Sequence, residues 1–275
     1  MRPIWNGAIS FGLVNIPIKL YTATESKEIK FRYLHKECKS PIKYQRYCPV
    51  CEEKIENEDL VKGYEYESGH FVVMEDEDFA KIPLESLKAI EIIDFVHLTE
   101  IDPIFFMKSY YLAPTELGQK PYHLLFKAME ETGKIAIARV VLRTKENLAC
   151  IRLYENVLIL ETIYYPEEIR SPQLIPELNQ EVKINASELK MAKNLIKSLS
   201  TKFKPKKYIS EYREALMELI KAKIQGQEVA IPRQPETATV VDLMEALKAS
   251  LAQVEETKEK TKKQTSKKKE SVTTN

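Results

Sequence analysis

The sequence predicts a mainly β protein with a helical C-terminal part, and two observations support this fold class. Short segments of alternating apolar and polar residues, rich in β-branched and aromatic side chains, fill most of the first 165 residues. After residue 186 the apolar residues recur with a helical period of about 3.6 residues. Many short strands joined by polar turns favour an antiparallel barrel or sandwich for the N-terminal part.

The strands follow one another along the N-terminal part. They are predicted at residues 9–21, 71–74, 90–96, 109–112, 135–142, 148–154 and 157–164. Lys145, Glu146 and Asn147 are predicted to form a hairpin turn between two of these strands. One helix interrupts the series from Tyr122 to Thr132, and Gly133 is its predicted stop.

The C-terminal part is predicted to be helical. Helices are expected at residues 187–199 with Ser187 as N-cap, at 206–225 with Gly226 as the stop, and at 240–254, after a linker at 232–237 that contains proline and threonine. Residues 255–275 consist almost entirely of Lys, Thr, Ser, Gln and Glu, too polar to offset chain entropy by burial. They are therefore predicted to be a disordered, Lys-rich basic tail.

Charge is distributed unevenly along a chain whose formal net charge is only +1. Residues 1–50 carry nine Lys and Arg against three Asp and Glu, whereas residues 51–103 carry four against sixteen. Residues 104–160 are basic again, with eight against five. Such segregation can place a basic face on a nearly neutral protein, although unrelated solvated faces explain the same pattern.

The location expected from the sequence is the cytoplasm. The first residues lack the apolar segment of a signal peptide, and no apolar run approaches the ~20 residues of a membrane helix. The four cysteines are therefore expected to serve as thiols or metal ligands rather than in disulfides. Cys150 lies inside a predicted strand and is expected to be a buried apolar residue.

A metal-ligand pattern is formed by His35, Cys38, Cys48 and Cys51. Three thiolates and one imidazole would complete the tetrahedral site that structural zinc requires, and the spacing resembles a zinc ribbon with a short central gap. Absence of metal and a redox-active pair at Cys48 and Cys51 are the alternatives, of which the redox pair is disfavoured because no βαβ pattern surrounds it. The zinc prediction depends on the spacing in this sequence alone.

Two groups of basic residues are candidates for phosphate contacts, which give affinity without reading sequence. The first group surrounds the cysteine pattern, is interleaved with tyrosines, and consists of Lys30, Arg32, Lys36, Lys39, Lys43 and Arg46. The second group spans one predicted hairpin and consists of Arg139, Arg143, Lys145 and Arg152. Solvated, charged hairpins are the plain alternative in both cases.

No recognisable catalytic or nucleotide-binding motif is present. The sequence lacks G-x-x-x-x-G-K-[ST], G-x-G-x-x-G and H-E-x-x-H. We therefore expect neither an enzyme nor a nucleotide cofactor.

Several separate blocks resemble bacterial Ku, the prokaryotic non-homologous end-joining family. The longest is residues 4–21, Ile-Trp-Asn-Gly-Ala-Ile-Ser-Phe-Gly-Leu-Val-Asn-Ile-Pro-Ile-Lys-Leu-Tyr, and further blocks lie at residues 61–65, 100–114, 132–139, 188–192 and 212–216. The resemblance covers about residues 1–255, in order and with family-like spacing. Agreement of several blocks is far more specific than any single motif.

The resemblance implies a core β-barrel at residues 1–185, with an arm at about 25–65 that crosses DNA. It implies that two copies form a homodimeric ring around a double-stranded DNA end, bound without sequence preference. It further implies recruitment of an ATP-dependent DNA ligase, for which the helical region 186–254 is the candidate docking site, and association with the nucleoid. Residues 30–46 are then expected on the arm, residues 139–152 on the barrel side, and the basic tail is expected to add attraction for DNA.

Two alternative functions remain open on the sequence. One is a zinc-ribbon adaptor that binds DNA or protein without encircling it, and the other is an unrecognised enzyme such as a nuclease. A stable monomer would favour the adaptor, and metal-dependent DNA cleavage would favour the nuclease.

Overall fold

The computed structural model describes residues 1–81, 88–142, 145–179, 182–226 and 243–253. Its strands are β1 (Trp5–Phe11), β2 (Val14–Thr22), β3 (Arg46–Cys48), β4 (Glu53–Ile55), β5 (Lys62–Glu67), β6 (His70–Met74), β7 (Ala89–Val96), β8 (Phe106–Pro114), β9 (Ile135–Leu142), β10 (Lys145–Tyr154) and β11 (Val157–Ile163). Its helices are α1 (Asp76–Ala80), α2 (Gln119–Thr132), α3 (Ala186–Leu199) and α4 (Glu211–Ile224), and residues 243–253 are also helical. The predictions for Arg143, the 232–237 linker and the 255–275 tail concern residues outside these ranges.

A closed barrel is formed by β1, β2, β8, β11, β10, β9 and β7, in that order. Neighbouring strands are antiparallel except β1 and β7, which pair in parallel from Ala8 opposite Ala89 to Ser10 opposite Glu91. This parallel pair closes the sheet, so the barrel exposes no unpaired strand edge. The predicted mainly β fold with helices is confirmed, in the form of a barrel rather than a sandwich.

Alternation along the strands builds the barrel core. On β2, for example, Ile16, Ile18 and Leu20 are at most 1% exposed and belong to one apolar cluster with Ile9 of β1 and Ile90 of β7. Residues between them face outward, because successive side chains of a strand point to opposite sides. The barrel core therefore contains no residue from the described part of the segment between β2 and β7.

Helix α2 completes this core with Tyr122, Leu125 and Met129. The Tyr122 hydroxyl donates to the Leu112 carbonyl oxygen at 2.8 Å and accepts from the Leu158 N–H at 2.7 Å. It thus lies where β8 ends and β11 begins. The predicted helix and its Gly133 stop are confirmed, with the helix beginning three residues earlier than expected.

One strand prediction and one turn prediction were wrong. Residues 9–21 form two strands rather than one, because the chain reverses at Gly12, whose φ of 57° suits a residue without a side chain. Lys145, Glu146 and Asn147, predicted to form a turn, belong to β10 and pair with Leu142, Val141 and Val140. The polar character of these three residues reflects an exposed strand start rather than a turn.

An arm comprising residues 23–88 is inserted between β2 and β7. Its described part contains the β3–β4 hairpin, the β5–β6 hairpin and the short helix α1. No side chain described between residues 24 and 81 is fully buried. The arm leaves and rejoins the barrel at one end, which we call the barrel mouth, where β1, β7, β8 and β10 begin and β2, β9 and β11 end.

The chain divides into two compact units, Met1–Leu174 and Ile175–Asn275. In the second unit, α3 begins at Ala186, with Asn185 rather than the predicted Ser187 as N-cap, because the Asn185 side chain accepts from the Ser187 N–H at 3.0 Å. The α4 helix begins at Glu211, five residues later than predicted, and is capped by Ser210. No helix in the described ranges is long and apolar enough to cross a membrane.

Candidate nucleic-acid interface

The first basic group lies on the arm and is exposed to solvent. All six predicted residues are on the outer surface, namely Lys30, Arg32, Lys36, Lys39, Lys43 and Arg46. Within the described ranges, none of the six forms a salt bridge with a carboxylate. Exposed aromatic rings lie between them in sequence, among them Phe31, Tyr33 and Tyr44. The arm therefore presents uncompensated positive charge together with aromatic surface.

A tight loop positions the centre of this group. The His35 N–H donates to the Ser40 carbonyl oxygen and the Lys39 N–H donates to the His35 carbonyl oxygen, each at 2.9 Å. Lys39 adopts a positive φ of 56° in this loop, and its ammonium group donates to the Lys36 carbonyl oxygen. Lys36 and Lys39 are thus held on one turn. Farther along, the Arg46 guanidinium donates to the Asn57 side chain next to the β3–β4 hairpin.

The four candidate zinc ligands come together as two pairs. His35 Nδ1 lies 3.2 Å from Cys38 Sγ, and Cys48 and Cys51 flank the turn between β3 and β4, where their thiols interact. Hydrogen bonding by Ser40 lowers the pKa of Cys38, and backbone hydrogen bonds from Cys51 and Val50 lower that of Cys48. Among the described residues no group of three or more potential ligands is close enough to hold an ion. The donors have the types zinc prefers, arranged as two half-sites.

The second basic group lies on the barrel, and each described member pairs with a carboxylate. Arg139 on β9 lies 3.1 Å from Glu91 on β7, and Lys145 at the start of β10 lies 3.5 Å from Glu168. Arg152 on β10 donates to both oxygens of Glu161 on β11, at 2.8 and 2.7 Å. Their positive charge is therefore largely compensated within the chain.

The Arg152–Glu161 pair is the most enclosed of these contacts, with side chains 23% and 10% exposed. Burial pushes the pKa of Glu161 upward, but hydrogen bonds from Arg152 and from the Ser109 hydroxyl outweigh burial and hold it below its usual value. The same carboxylate raises the pKa of Arg152. Arg152 therefore acts as a structural cation in the barrel wall.

Cys150 behaves as predicted for a buried apolar residue. Its side chain is fully buried next to Ile135 and Ile163. Burial raises the pKa of its thiol to about 12, so it stays protonated at neutral pH.

Sequence reasoning missed the cations at the barrel mouth, Arg2 and Lys108. Both are exposed, and neither forms a salt bridge in the described part of the chain. Each is an isolated cation in its own segment, and only the strand order brings them to the same end of the barrel. A search for clusters of charge along the sequence does not find two cations that are this far apart.

Comparison with known proteins agrees with this architecture. Residues 10–191 match the family model described as the Ku70/Ku80 beta-barrel domain. The protein named non-homologous end joining protein Ku from Heliobacterium modesticaldum is 49% identical over 255 residues, which are 92% of either chain. The protein of that name from Bacillus subtilis is 47% identical over 254 residues, covering 91% of this chain and 82% of the relative.

A longer relative, the Symbiobacterium thermophilum protein of the same name, is 51% identical over 257 residues. These residues are 93% of this chain but only 64% of that protein, so this chain spans less than two thirds of its length. The family model nevertheless covers more than half of this chain, including most of the barrel and the whole arm. The barrel, the inserted arm and these matches together show that the chain belongs to the Ku family.

Proposed function

We propose that this protein binds double-stranded DNA ends without sequence preference, as a homodimeric ring that acts in non-homologous end joining. The observation that carries the proposal is the 49% identity to a protein named for that process, extending over 92% of either chain. Membership in the Ku family also supports the expectation of a DNA-binding scaffold rather than an enzyme.

The distribution of compensated and uncompensated charge supports the arm as the main phosphate-contacting element. The arm cations lack carboxylate partners in the described ranges, whereas Arg139, Lys145 and Arg152 on the barrel have them. A carboxylate that already neutralises a cation must be displaced before a phosphate can replace it, which reduces the gain. We therefore assign the strongest DNA contacts to residues 30–46 and secondary contacts to residues 139–152.

Exposed apolar surface on the arm supports a second copy of the chain as its partner. Both faces of the β5–β6 hairpin are exposed, including Tyr64, Tyr66, Phe71 and Val73 at 50–67% of their full area. An isolated two-stranded hairpin is marginal in water, and exposed apolar patches mark interaction sites. A homodimer in which each arm packs on the other copy would cover this surface and close the ring.

Ligase recruitment is assigned to the helical region. Apolar side chains of α3 and α4 remain exposed, including Ile196, Leu199, Tyr212 and Ile224 at 57–79% of their full area. Grooves and faces of this kind accept partner segments in helix-based recognition. We propose that residues 186–254 dock an ATP-dependent DNA ligase, with the protein located in the cytoplasm at the nucleoid.

A structural zinc ion is part of the proposal. It would draw the His35–Cys38 and Cys48–Cys51 half-sites together and so rigidify this part of the arm, which has no buried core of its own in the described ranges. Metal analysis of protein purified without chelator tests this directly. Close to one zinc per chain is expected, and Cys48→Ser with Cys51→Ser should abolish binding; well under a tenth of an equivalent in the parent protein would reject the ion.

The decisive experiment compares linear duplex DNA with a closed circle of the same sequence in a gel-shift assay. A threaded ring binds the linear form and does not bind the circle, because the circle offers no end. A linear duplex with a bulky protein fixed at both ends is the matched control and should also remain unbound. Equal affinity for the linear and circular forms would reject threading, and a stable monomer by light scattering would reject the ring and favour a zinc-ribbon adaptor.

Charge variants test the assignment of the arm. Lys36→Gln with Lys43→Gln removes four arm cations per homodimer, so the slope of log affinity against log salt should fall by up to ~0.9 for each phosphate that is no longer neutralised. Lys120→Gln with Lys134→Gln removes the same number of exposed charges, from α2 and from the residue between Gly133 and β9, and should leave the slope unchanged. Equal effects of the two double variants would contradict a dedicated arm interface.

A further inference from the structure

The barrel mouth opens into a cleft of about 750 Å³. Its wall is made by the starts of β1, β8 and β10 and the ends of β2, β9 and β11, and it includes the segment that leads into β1. Ligand pockets have volumes of roughly 300–1,000 Å³, and the mouth of a β-barrel is one of their preferred positions. The cleft is separate from the arm cations and from the zinc half-sites, and of the residues assigned secondary DNA contacts it shares only Leu142, Lys145 and Asn147 among its described lining.

Positive charge dominates the wall of this cleft. Arg2, Lys108 and Lys145 line it, and the described lining residues include no carboxylate. Arg2 and Lys108 have no carboxylate partner in the described ranges, and Lys145 reaches Glu168 only at 3.5 Å. Three cationic residues that line one open cleft, two of them without a carboxylate partner in the described ranges, favour a compact anion such as a phosphate group.

Aromatic and hydrogen-bonding groups complete the wall. Trp5 and Tyr110 both line the cleft, and the Lys108 ammonium group lies 5.6 Å from the centre of the Tyr110 ring. Asn147 and Thr162 add polar side chains beside them. Stacking on an aromatic ring is how proteins hold a nucleobase without reading its identity.

Trp5 is held in place by the close approach of the backbone at Gly7. A side-chain carbon at Gly7 would overlap the Trp5 ring and the carbonyl oxygen of Lys88. The ring therefore folds over Gly7 in a fixed position on the cleft wall. A fixed aromatic surface beside a cluster of cations matches the two ends of one kind of ligand, a planar base and a phosphate.

We propose that the barrel-mouth cleft binds a nucleoside 5′-monophosphate group, with the phosphate at Arg2 and Lys108 and the base against Trp5. The group could be supplied as a free nucleotide or as the 5′-terminal nucleotide of a DNA strand. No glycine-rich phosphate loop is needed, because side-chain cations supply the charge. The proposal does not depend on ring formation or on threading of duplex DNA.

The protein contains a single tryptophan, so its fluorescence reports on this cleft alone. The full-length protein is titrated with deoxyadenosine monophosphate, with deoxyadenosine, and with a single-stranded trinucleotide that carries either a 5′-phosphate or a 5′-hydroxyl. A saturable change in Trp5 emission with the monophosphate identifies a free nucleotide as the ligand. A change with the 5′-phosphorylated trinucleotide alone identifies the end of a strand.

Variants decide whether the assigned cations are responsible. Lys108→Gln and Arg2→Gln should each weaken binding about tenfold, about 1.4 kcal/mol, while Lys120→Gln on α2 should leave it unchanged. A response to deoxyadenosine as strong as to the monophosphate, equal responses to the two trinucleotides without a response to the monophosphate, or no response to any ligand would each overturn the proposal. An equal reduction in Lys120→Gln would overturn it as well.

Discussion

Replacing Tyr122 by Phe tests how the barrel is held together at the end opposite its mouth. The hydroxyl lies between two register partners of neighbouring strands, Leu112 and Leu158, and bonds to both of their backbone groups. Tyr122 is only 3% exposed, and burial raises its pKa, so the group remains a protonated hydroxyl. Tyr122→Phe keeps the ring and removes only the bridging oxygen.

The expected cost follows from the two backbone groups that lose their partner. A hydrogen bond contributes a net ~0.5–1.5 kcal/mol, and a buried group left unsatisfied costs ~1–3 kcal/mol. If the two strands moved together so that the Leu158 N–H bonded directly to the Leu112 carbonyl oxygen, the cost would be only the net ~0.5–1.5 kcal/mol of a hydrogen bond. Because the Phe ring occupies the same space and keeps the strands apart, we expect the free energy of unfolding to fall by about 2–4 kcal/mol.

Urea unfolding followed by Trp5 fluorescence measures this change in the barrel itself, since the single tryptophan lies on its first strand. Protein concentration is held constant so that assembly affects each variant equally. Tyr165→Phe is the matched control, because the Tyr165 hydroxyl bonds to Glu146 at the surface, and it should cost less than about 0.5 kcal/mol. A Tyr122→Phe variant within about 0.5 kcal/mol of the parent protein would refute the bridging role.

Further predictions concern the barrel wall and mouth. Arg152→Ala should destabilise the barrel by roughly 2–4 kcal/mol in urea, because it leaves the Glu161 carboxylate without its cation. It should change DNA-end affinity little, because the Arg152 charge is already paired with Glu161. The lowered pKa of Glu161 means that its contribution is complete above its unfolded pKa of ~4.3 and is lost as the pH falls through its lower folded value. Glu161→Gln should therefore flatten the acid side of the stability-against-pH curve, and an unchanged acid limb would contradict this assignment. Gly7→Ala should cost about 1–3 kcal/mol and shift Trp5 emission, since the added carbon overlaps the ring; an unaltered spectrum and midpoint would show that the close approach is unimportant.

The barrel strands could be predicted because each carries its own alternation. The missed turn at Gly12 also left a local signal. The large apolar residues occupy odd positions from Ile9 to Leu13 and even positions from Val14 to Leu20, and such a change of parity means a change of face or of strand. Closure by the parallel β1–β7 pair had no comparable signal, because pairing between distant segments depends on the whole sheet.

The candidate site was only partly predictable for a related reason. The arm cations follow one another in sequence, so their exposure could be expected from local composition. The partners of the barrel cations lie far along the chain, as with Arg139 and Glu91, 48 residues apart. Whether such a cation is compensated depends on strand register, which charge counts along the sequence do not contain.

The arm is joined to the barrel at two points separated laterally by a single strand, since β1 lies between β2 and β7. The stability of the barrel must therefore offset the entropic cost of closing the arm as a loop. Doubling the length of the arm would raise this free-energy cost by only ~0.6 kcal/mol. The length of the arm can therefore change in evolution at little cost to the stability of the barrel. The fold of the barrel and the properties of the arm can thus evolve separately. Related proteins can carry a longer, shorter or differently charged arm on the same closed barrel.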